Sequence, residues 1–220
     1  MRHQKDSIEI CNQDSLEVMA EIPDKYYDLC LTDPPYGIGI DKMNYVNDPS
    51  GVAKNTDYRG KADWDIRPGL EYFKEIFRIS KNQIIFGGNY FADILPIKSC
   101  WIVWDKKTAD KYNNDFGDGE LAWTSYDKPL KIYRWLYSGM LQQNAKVKDK
   151  RYHPAQKATG LIKRILQDFT KEGDLVIDPF LGSGTTTRAC KDLNRKCLGI
   201  EISVEFYEIA IKRIAQGVLF

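Results

Sequence analysis

Short apolar runs alternate with segments of helical hydrophobic period along most of this 220-residue chain. Runs rich in β-branched residues predict strands, and apolar residues spaced three and four apart predict amphipathic helices between them. Strands are predicted at residues 8–11, 28–32, 83–87, 100–104, 174–178 and 196–200. Helices are predicted at residues 15–21, 70–80, 89–95, 159–169, 185–193 and 203–215. Because such alternation places helices on both faces of a mostly parallel sheet, an α/β fold with a doubly wound sheet is predicted.

Two further segments, at residues 120–125 and 130–137, predict an antiparallel hairpin at one edge of that sheet. A chain of this length suits one domain, so residues 1–220 are predicted to form a single domain with a small insertion at about 105–152. The region 37–66 is polar and rich in Gly, Asn and Asp. A loop of that length is usually more than a connector, and a mobile loop is predicted there.

The composition excludes several classes of protein. No apolar run reaches the roughly 18 residues that a membrane span needs, and the first six residues have none of the apolar character of a signal peptide. The cysteines are odd in number, form no CxxC pair and lie mostly in apolar runs; they are Cys11, Cys30, Cys100, Cys190 and Cys197. These features predict a cytoplasmic protein with reduced thiols, no structural metal and no membrane partner.

The charge of the chain is distributed unevenly. Residues 128–164 contain ten Lys or Arg and one acid, Asp149, so this window carries +9 while the whole chain carries +1. Four aromatic residues lie among the basic ones, and aromatic rings can stack on exposed bases while Lys and Arg neutralise phosphates. The alternative is a solvated surface. The candidate DNA-binding residues are Lys128, Lys131, Arg134, Lys146, Lys148, Lys150 and Arg151.

A glycine-rich turn follows the predicted strand that ends at Asp178. The segment from Asp178 to Thr185 is Asp-Pro-Phe-Leu-Gly-Ser-Gly-Thr, and Glu201 ends the next predicted strand, 23 residues beyond Asp178. Glycines allow a ligand to approach the backbone, and a carboxylate at that separation can hold ribose hydroxyls. The segment lacks the third glycine of a dinucleotide fingerprint and the Gly-Lys-Ser/Thr of a P-loop. A tight turn with no ligand is the alternative.

A second motif, Asp33-Pro34-Pro35-Tyr36, follows the predicted strand 28–32. Two prolines exclude both a helix and a sheet ladder, so the chain turns out of the sheet there. The motif offers a carboxylate, a fixed carbonyl at Pro34 and an aromatic ring, which together could hold a planar ring by its amino group. A proline-stiffened turn capped by the aspartate is the alternative.

Together these motifs resemble the amino-specific DNA methyltransferases that use S-adenosylmethionine. Residues 33–36 are similar to the catalytic motif of that family, and Phe180-x-Gly182-x-Gly184 is similar to its cofactor motif. Residues 153–157, His-Pro-Ala-Gln-Lys, are similar to the family's H-P-x-Q-K-P segment, with Ala158 in place of the last proline. The catalytic motif precedes the cofactor motif, as in the β class, and the resemblance extends from about residue 8 to 215.

The resemblance implies a Rossmann-like sheet of the S-adenosylmethionine-dependent methyltransferase type and assigns roles to individual residues. The implied catalytic residues are Asp33, Pro34, Pro35 and Tyr36. The implied S-adenosylmethionine-binding residues are Asp14, Asp33, Lys157, Asp178, Pro179, Phe180, Gly182, Ser183, Gly184, Thr185 and Glu201. His153 and Lys157 are expected near the methionine end of the cofactor.

The expected activity is methylation of the N6 amine of adenine in DNA. Cytosine-N4 methylation is the close alternative, although family members of that specificity more often carry Ser at the position of Asp33. A catalytically silent nucleic-acid-binding protein is the second alternative. No cysteine follows a proline, so methylation of a cytosine ring carbon is not expected. The expected partners are DNA, a second copy in a homodimer and a cognate restriction endonuclease, in a prokaryotic cytoplasm or from a phage.

Overall fold

A computed structural model describes residues 1–39, 65–107, 117–138, 141–143, 149–152 and 155–217. Within these ranges the strands are β1 (Arg2–Lys5), β2 (Ile8–Cys11), β3 (Tyr27–Thr32), β4 (Ser80–Phe86), β5 (Trp101–Asp105), β6 (Gly119–Thr124), β7 (Lys131–Arg134), β8 (Tyr137–Ser138), β9 (Leu141–Gln142), β10 (Leu175–Asp178) and β11 (Lys196–Ile200). The helices are α1 (Ser15–Ala20), α2 (Leu70–Ile79), α3 (Thr159–Phe169), α4 (Thr185–Asp192) and α5 (Val204–Ala215).

The main sheet has the strand order β1-β2-β11-β10-β3-β4-β6-β5-β7, and β8 pairs separately with β9 in the described ranges. Five adjacent strands of this sheet, β2, β11, β10, β3 and β4, run parallel to one another. Their carboxyl ends therefore meet at one edge of the sheet, which is where open α/β sheets bind ligands. Asp33, Asp178 and Glu201 all lie at this edge, because each ends or directly follows one of those strands.

Helices cover both faces of the sheet. On one face, Val18 and Met19 of α1 and Ile76 of α2 pack with Cys30 and Ile177 of the central strands. On the other face, buried residues of α3, α4 and α5 pack with Leu29, Leu31 and Val176. Alternate residues of β3 and β10 thus enter opposite cores, as the period of a strand requires. The predicted α/β, doubly wound and mostly parallel sheet is confirmed.

The predicted partners within the edge hairpin are wrong. β5 lies between β6 and β7, antiparallel to β6 and parallel to β7, so the segments 120–125 and 130–137 do not pair with each other. An antiparallel hairpin does form at the opposite edge, where β1 and β2 pair through a turn in which Asp6 has a φ of 56°. Its first strand is short and polar, and the apolar pattern did not predict it.

Three further predicted segments, the helix 89–95, the insertion 105–152 and the loop 37–66, compare with the structure in different ways. The predicted helix 89–95 is largely a 3-10 turn over Gly88–Phe91. β6 and β7 belong to the main sheet although they lie in the predicted insertion 105–152, and most of the predicted mobile loop 37–66 lies outside the described residues.

All five cysteines are buried and free of disulfides. None of the helices in the described ranges has the length and apolar character that crossing a bilayer requires.

Candidate active site

A cavity of about 740 Å³ opens at the carboxyl edge of the parallel strands. That volume lies within the range of small-molecule sites in proteins. Both sequence motifs contribute to its wall, together with α1, the start of α2 and the segment before α3. Of the predicted catalytic and cofactor-binding residues, those that line it are Asp14, Asp33, Pro34, Pro35, Tyr36, Lys157, Asp178, Pro179, Phe180, Gly182, Ser183, Thr185 and Glu201.

The turn after β3 fixes the orientation of Tyr36. The Tyr36 hydroxyl donates to Asp33 Oδ1 at 2.6 Å, which closes the four-residue motif on itself. The Tyr36 ring lies against Gly87, where a Cβ would be 2.1 Å from Tyr36 Cε1 and where φ is +65°. Glycine is therefore required at 87 by both contact and conformation. The ring also stacks on Tyr90, with centroids 4.7 Å apart and planes at 20°.

Lys157, which is buried, connects this motif to the sheet through a partly buried group of charges. Its Nζ lies 2.5 Å from Asp33 Oδ2 and 3.0 Å from Glu120 Oε2, and Glu120 also pairs with Lys106. Burial opposes the charge of Lys157, but the two carboxylates outweigh it and raise the pKa of its ammonium. Burial raises the pKa of Asp33 above its ordinary value, and Lys157 opposes that rise.

The pKa of Glu120 shifts in the opposite direction to that of Asp33. Burial would raise the pKa of its carboxyl, but Lys157 and Lys106 outweigh burial and hold that pKa below its ordinary value. The sequence did not predict Glu120 as a site residue. It lies on β6, which is antiparallel to its neighbours, and no local signal in the sequence indicates which residue of that strand reaches Lys157.

Asp178 connects the glycine-rich turn to β3. Its Oδ1 accepts hydrogen bonds from the Thr32 hydroxyl at 2.8 Å and from the Phe180 amide at 3.2 Å. The side chain is almost entirely buried, and burial raises its pKa to about 6 against the opposing hydrogen bonds. Asp178 thus stabilises the turn at Pro179 and Phe180 through the Phe180 amide, and it also lines the cavity.

The two glycines of the turn have different surroundings. Gly182 has a φ of +56° with open space at the Cβ position, and it lines the cavity. Gly184 has a φ of +86° and is not among the residues that line the cavity. A Cβ there would meet Ala210 of α5 at 2.8 Å. Close packing on α5 and the positive φ therefore both require glycine at 184, whereas at 182 the positive φ alone favours it.

Glu201 closes the turn from the end of β11. Its two carboxylate oxygens accept hydrogen bonds from the Gly182 amide at 2.7 Å and the Ser203 amide at 2.8 Å. Burial raises the pKa of Glu201 and the backbone hydrogen bonds oppose it. The carboxylate therefore supports the glycine-rich turn, and each oxygen retains a second lone pair for a ligand.

Tyr72 of α2 and Phe180 of the glycine-rich turn form an aromatic part of the cavity wall. The rings of Tyr72 and Phe180 lie 5.6 Å apart, and the Tyr72 hydroxyl donates to Asp14 Oδ2 at 3.3 Å. The other oxygen of Asp14 caps α1 by accepting from the Leu16 amide at 2.7 Å. Tyr72 was not predicted as a site residue, since its place on α2 indicated only an amphipathic helix.

Arg213 supports the glycine-rich turn from behind. This buried guanidinium of α5 donates to the Ser183 carbonyl at 2.8 Å and to the Thr185 hydroxyl at 3.2 Å. Ser183 in turn donates to Gln156 Oε1 at 3.0 Å, which links the turn to the segment before α3. His153 and Pro154, which begin that segment, lie outside the described residues. Arg213 carries no motif signal and was not predicted.

The candidate DNA-binding residues that the structure describes lie at two opposite edges of the sheet. Lys128 and Lys131 contact the carboxyl end of α3, where Lys131 pairs with Asp168 at 2.8 Å. That end of α3 lies at the edge of the sheet where β7 begins. The cavity opens at the opposite edge, where the parallel strands end. The length of β7 separates these two lysines from the cavity, because Lys131 begins that strand and Arg134 ends it.

The other candidates that the structure describes lie at or near the cavity edge. Arg134 ends β7 and lies 3.6 Å from Asp105. Lys150 lies over the ring of Tyr152 at 5.0 Å, and Arg151 lies over the ring of Tyr137 at 4.4 Å. The side chains of Lys150 and Arg151 are exposed. Lys146 and Lys148 lie outside the described residues.

Comparison with known proteins gives the chain a family. The N6/N4 family model, described as DNA methylase, matches residues 98–212, more than half of the chain. The Type II methyltransferase M.HpaI of Haemophilus parainfluenzae is 27% identical over 246 residues, covering 93% of this chain and 73% of that protein.

Solved structures agree with that comparison. The crystal structure of the M1.HpyAVI–SAM complex is 25% identical and has a TM-score of 0.59, covering 94% of this chain and 99% of its own. The PvuII DNA methyltransferase, described as cytosine-N4-specific, has a TM-score of 0.64 over 99% of this chain and 89% of its own. At 16% identity the PvuII enzyme shows a shared fold only.

Proposed function

The chain belongs to the N6/N4 DNA methylase family and is a DNA methyltransferase, and we propose that it methylates the N6 amine of adenine. One observation carries the proposal. The carboxylate of Asp33, held by Tyr36 and Lys157, shares a cavity of about 740 Å³ with the glycine-rich turn and Glu201. A group that can hold an aromatic amine thus faces a site suited to a nucleoside-type methyl donor.

The cavity fits S-adenosylmethionine by the chemistry of its walls. Glu201 can accept hydrogen bonds from ribose hydroxyls, and the rings of Tyr72 and Phe180 offer an aromatic surface on which an adenine can pack. Asp14 lies beside the Tyr72 ring, and Ser183, within the turn, contacts Gln156 on the segment before α3. When bound, S-adenosylmethionine supplies a methyl group already activated by its sulfonium charge.

The residues of the catalytic motif act on the target amine. The lone pair of an aromatic amine is delocalised into its ring, which makes the nitrogen a poor nucleophile. Hydrogen bonds from the amine to Asp33 and to the Pro34 carbonyl favour a pyramidal nitrogen whose lone pair is available for attack. Asp33 also stabilises the positive charge that develops on that nitrogen. Positioning the two reactants contributes much of the remaining rate.

Tyr36 provides a surface for the target base. Its ring is fixed by the hydrogen bond to Asp33 and by contact with Gly87, so a base stacked on it would present its amine to the carboxylate. A base inside a duplex cannot reach this cavity, and extruding it costs a few kcal/mol. Lys150 and Arg151, exposed near the cavity edge, are suited to hold the flanking phosphates.

Adenine is favoured over cytosine because the first motif residue is Asp33 rather than Ser. The test is incubation of the protein with DNA and methyl-labelled S-adenosylmethionine, followed by digestion and identification of the labelled nucleoside. N6-methyladenine is the expected product, and Asp33→Asn is the control that should not form it. N4-methylcytosine would establish the alternative specificity, and no labelled nucleoside from any DNA would contradict the proposal.

Two partners of the enzyme are further expectations of this proposal. M.HpaI is named a Type II methyltransferase, and a cognate restriction endonuclease is the partner that such a role implies. We also expect a homodimer in a prokaryotic cytoplasm. Sedimentation of the purified protein tests the dimer, and protection of host DNA from endonucleases upon expression tests the modification role.

A further inference from the structure

The ammonium of Lys157 occupies a position like the one that the target amine must take. It lies 2.5 Å from Asp33 Oδ2 and 5.8 Å from the centroid of the Tyr36 ring. The target amine of the proposed function must likewise donate to Asp33 while its base stacks on Tyr36. Both oxygens of Asp33 already accept a hydrogen bond, one from Tyr36 and one from Lys157. Each oxygen keeps a second lone pair, so an amine that donates to Oδ2 would share that oxygen with the Lys157 ammonium, and its contact with Asp33 strengthens when Lys157 moves away.

Glu120 provides the alternative contact for Lys157. The side chain of Lys157 is only 7% exposed, so its charge cannot move into water without breaking the packing around it. Glu120 Oε2 lies 3.0 Å from Lys157 Nζ. In the described ranges, that oxygen is buried and receives no hydrogen bond of good geometry, so it has unused capacity to accept one.

The surrounding charges support such a movement. Asp33 and Glu120 carry two negative charges, and Lys157 and Lys106 carry two positive charges within the same partly buried group. During methyl transfer the target nitrogen takes on the positive charge that the methyl donor loses, and it does so beside Asp33. An ammonium that remained on Asp33 would repel it, whereas an ammonium on Glu120 would leave Asp33 to stabilise it.

We propose that Glu120 is a positioning residue of the reaction, which holds Lys157 away from Asp33 when the target amine binds. The inference rests on the proposed function and adds a residue outside the recognised motifs. Glu120 acts through Lys157 and need not touch the base or the methyl donor. Without its carboxylate, Lys157 would retain only Asp33 as a buried counter-charge and would compete with the target amine.

The test is single-turnover methyl transfer by Glu120→Gln, Lys157→Met and the double variant, measured at pH 8. Glu120→Gln should slow transfer about 100-fold, the scale of a misplaced reacting group, while calorimetry gives a nearly unchanged dissociation constant for the methyl donor. The double variant should be faster than Glu120→Gln alone, because the competing ammonium is gone. Glu120→Asp, which keeps a carboxylate, should lose less activity than Glu120→Gln.

A matched control is Glu75→Gln. Glu75 also pairs with a basic residue, Arg78, at 2.6 Å, but it lies on α2 away from the cavity lining. Its variant should keep the wild-type rate. If the double variant is no faster than Glu120→Gln, or if Glu120→Gln keeps the wild-type rate, the inference is overturned. A wild-type protein that methylates no DNA would instead contradict the proposed function, and the inference with it.

Discussion

Thr32, the last residue of β3, donates its hydroxyl hydrogen to Asp178 Oδ1 at 2.8 Å. This hydrogen bond joins two strands that are 146 residues apart in the chain, one leading to the catalytic motif and the other to the glycine-rich turn. The two strands are parallel neighbours in the sheet, so their carboxyl ends lie side by side. The bond thus fixes the distance between the residues that face the amine and those that face the methyl donor.

Asp178→Asn should make the folded state more stable at neutral pH. Burial raises the pKa of Asp178 to about 6 from an ordinary value of 3.8. The folded state therefore binds a proton more tightly than the unfolded state, and stability is lost as pH rises from about 4 through 6. For this buried group the loss is about 3 kcal/mol. Asn does not titrate, and its oxygen can still accept from Thr32 and Phe180.

Denaturant unfolding of the wild type and of Asp178→Asn between pH 4 and 8 measures this effect. The advantage of the variant should grow across the interval from pH 4 to 6 and then level off. Parallel profiles for the two proteins would show that Asp178 is charged at low pH in the folded state as well.

Asp33→Asn should nearly abolish methyl transfer and leave the binding of S-adenosylmethionine largely intact. The substitution keeps one oxygen for Tyr36 but removes the charge that faces the target amine. The loss in rate should be about 10²–10⁴-fold, the range for a positioned acid or base. Single-turnover kinetics and calorimetry separate the two effects. A donor affinity that falls in parallel with the rate would identify Asp33 as mainly a binding residue.

The strands at the centre of the fold could be predicted because each is a continuous apolar run between two cores. The order of β5, β6 and β7 could not, since it depends on pairing between distant segments rather than on local pattern. The same limit applies to Glu120, which reaches Lys157 only through the register of β6. Residues that belong to a motif, such as Tyr36, were therefore predictable, and residues brought in by tertiary packing were not.

The two glycines of the cofactor motif illustrate a second limit. Their spacing indicated a turn, and both are indeed at positive φ. The reason for each differs, since Gly182 faces the cavity and Gly184 faces Ala210 of α5. A sequence records that glycine is present but not which neighbour a side chain would meet.

Gly184→Ala should destabilise the protein more than Gly173→Ala. Both glycines have nearly the same φ, +86° and +83°, but a Cβ has open space at 173 and meets Ala210 at 2.8 Å at 184. The shared conformational cost is about 1–2 kcal/mol. Overpacking adds about 1–3 kcal/mol at 184 alone. Thermal unfolding without ligand measures both variants, and equal losses would show that α5 moves to accept the methyl group.

Glu201→Gln should weaken both the binding of S-adenosylmethionine and the fold. A glutamine can accept through one oxygen only, so either the Gly182 or the Ser203 amide loses its acceptor. Each charge-assisted hydrogen bond that is lost costs about 1.5–3 kcal/mol. Calorimetry and unfolding measure the two losses, with Glu208→Gln on the exposed face of α5 as the control. An unchanged donor affinity would remove Glu201 from the binding site.

The salt dependence of DNA binding should separate the basic residues into two groups. Lys150 and Arg151 are exposed near the cavity edge, whereas Lys128 and Lys131 lie at the opposite edge of the sheet, where Asp168 offsets the charge of Lys131. Each phosphate contact contributes about −0.9 to the slope of log affinity against log salt. The double variant Lys150→Gln/Arg151→Gln should therefore make the slope shallower by about two contacts and weaken binding to all sequences alike. Lys128→Gln/Lys131→Gln should leave it unchanged. The reverse result would mean that DNA approaches the amino edge of the sheet and that the residues around the cavity do not hold the duplex.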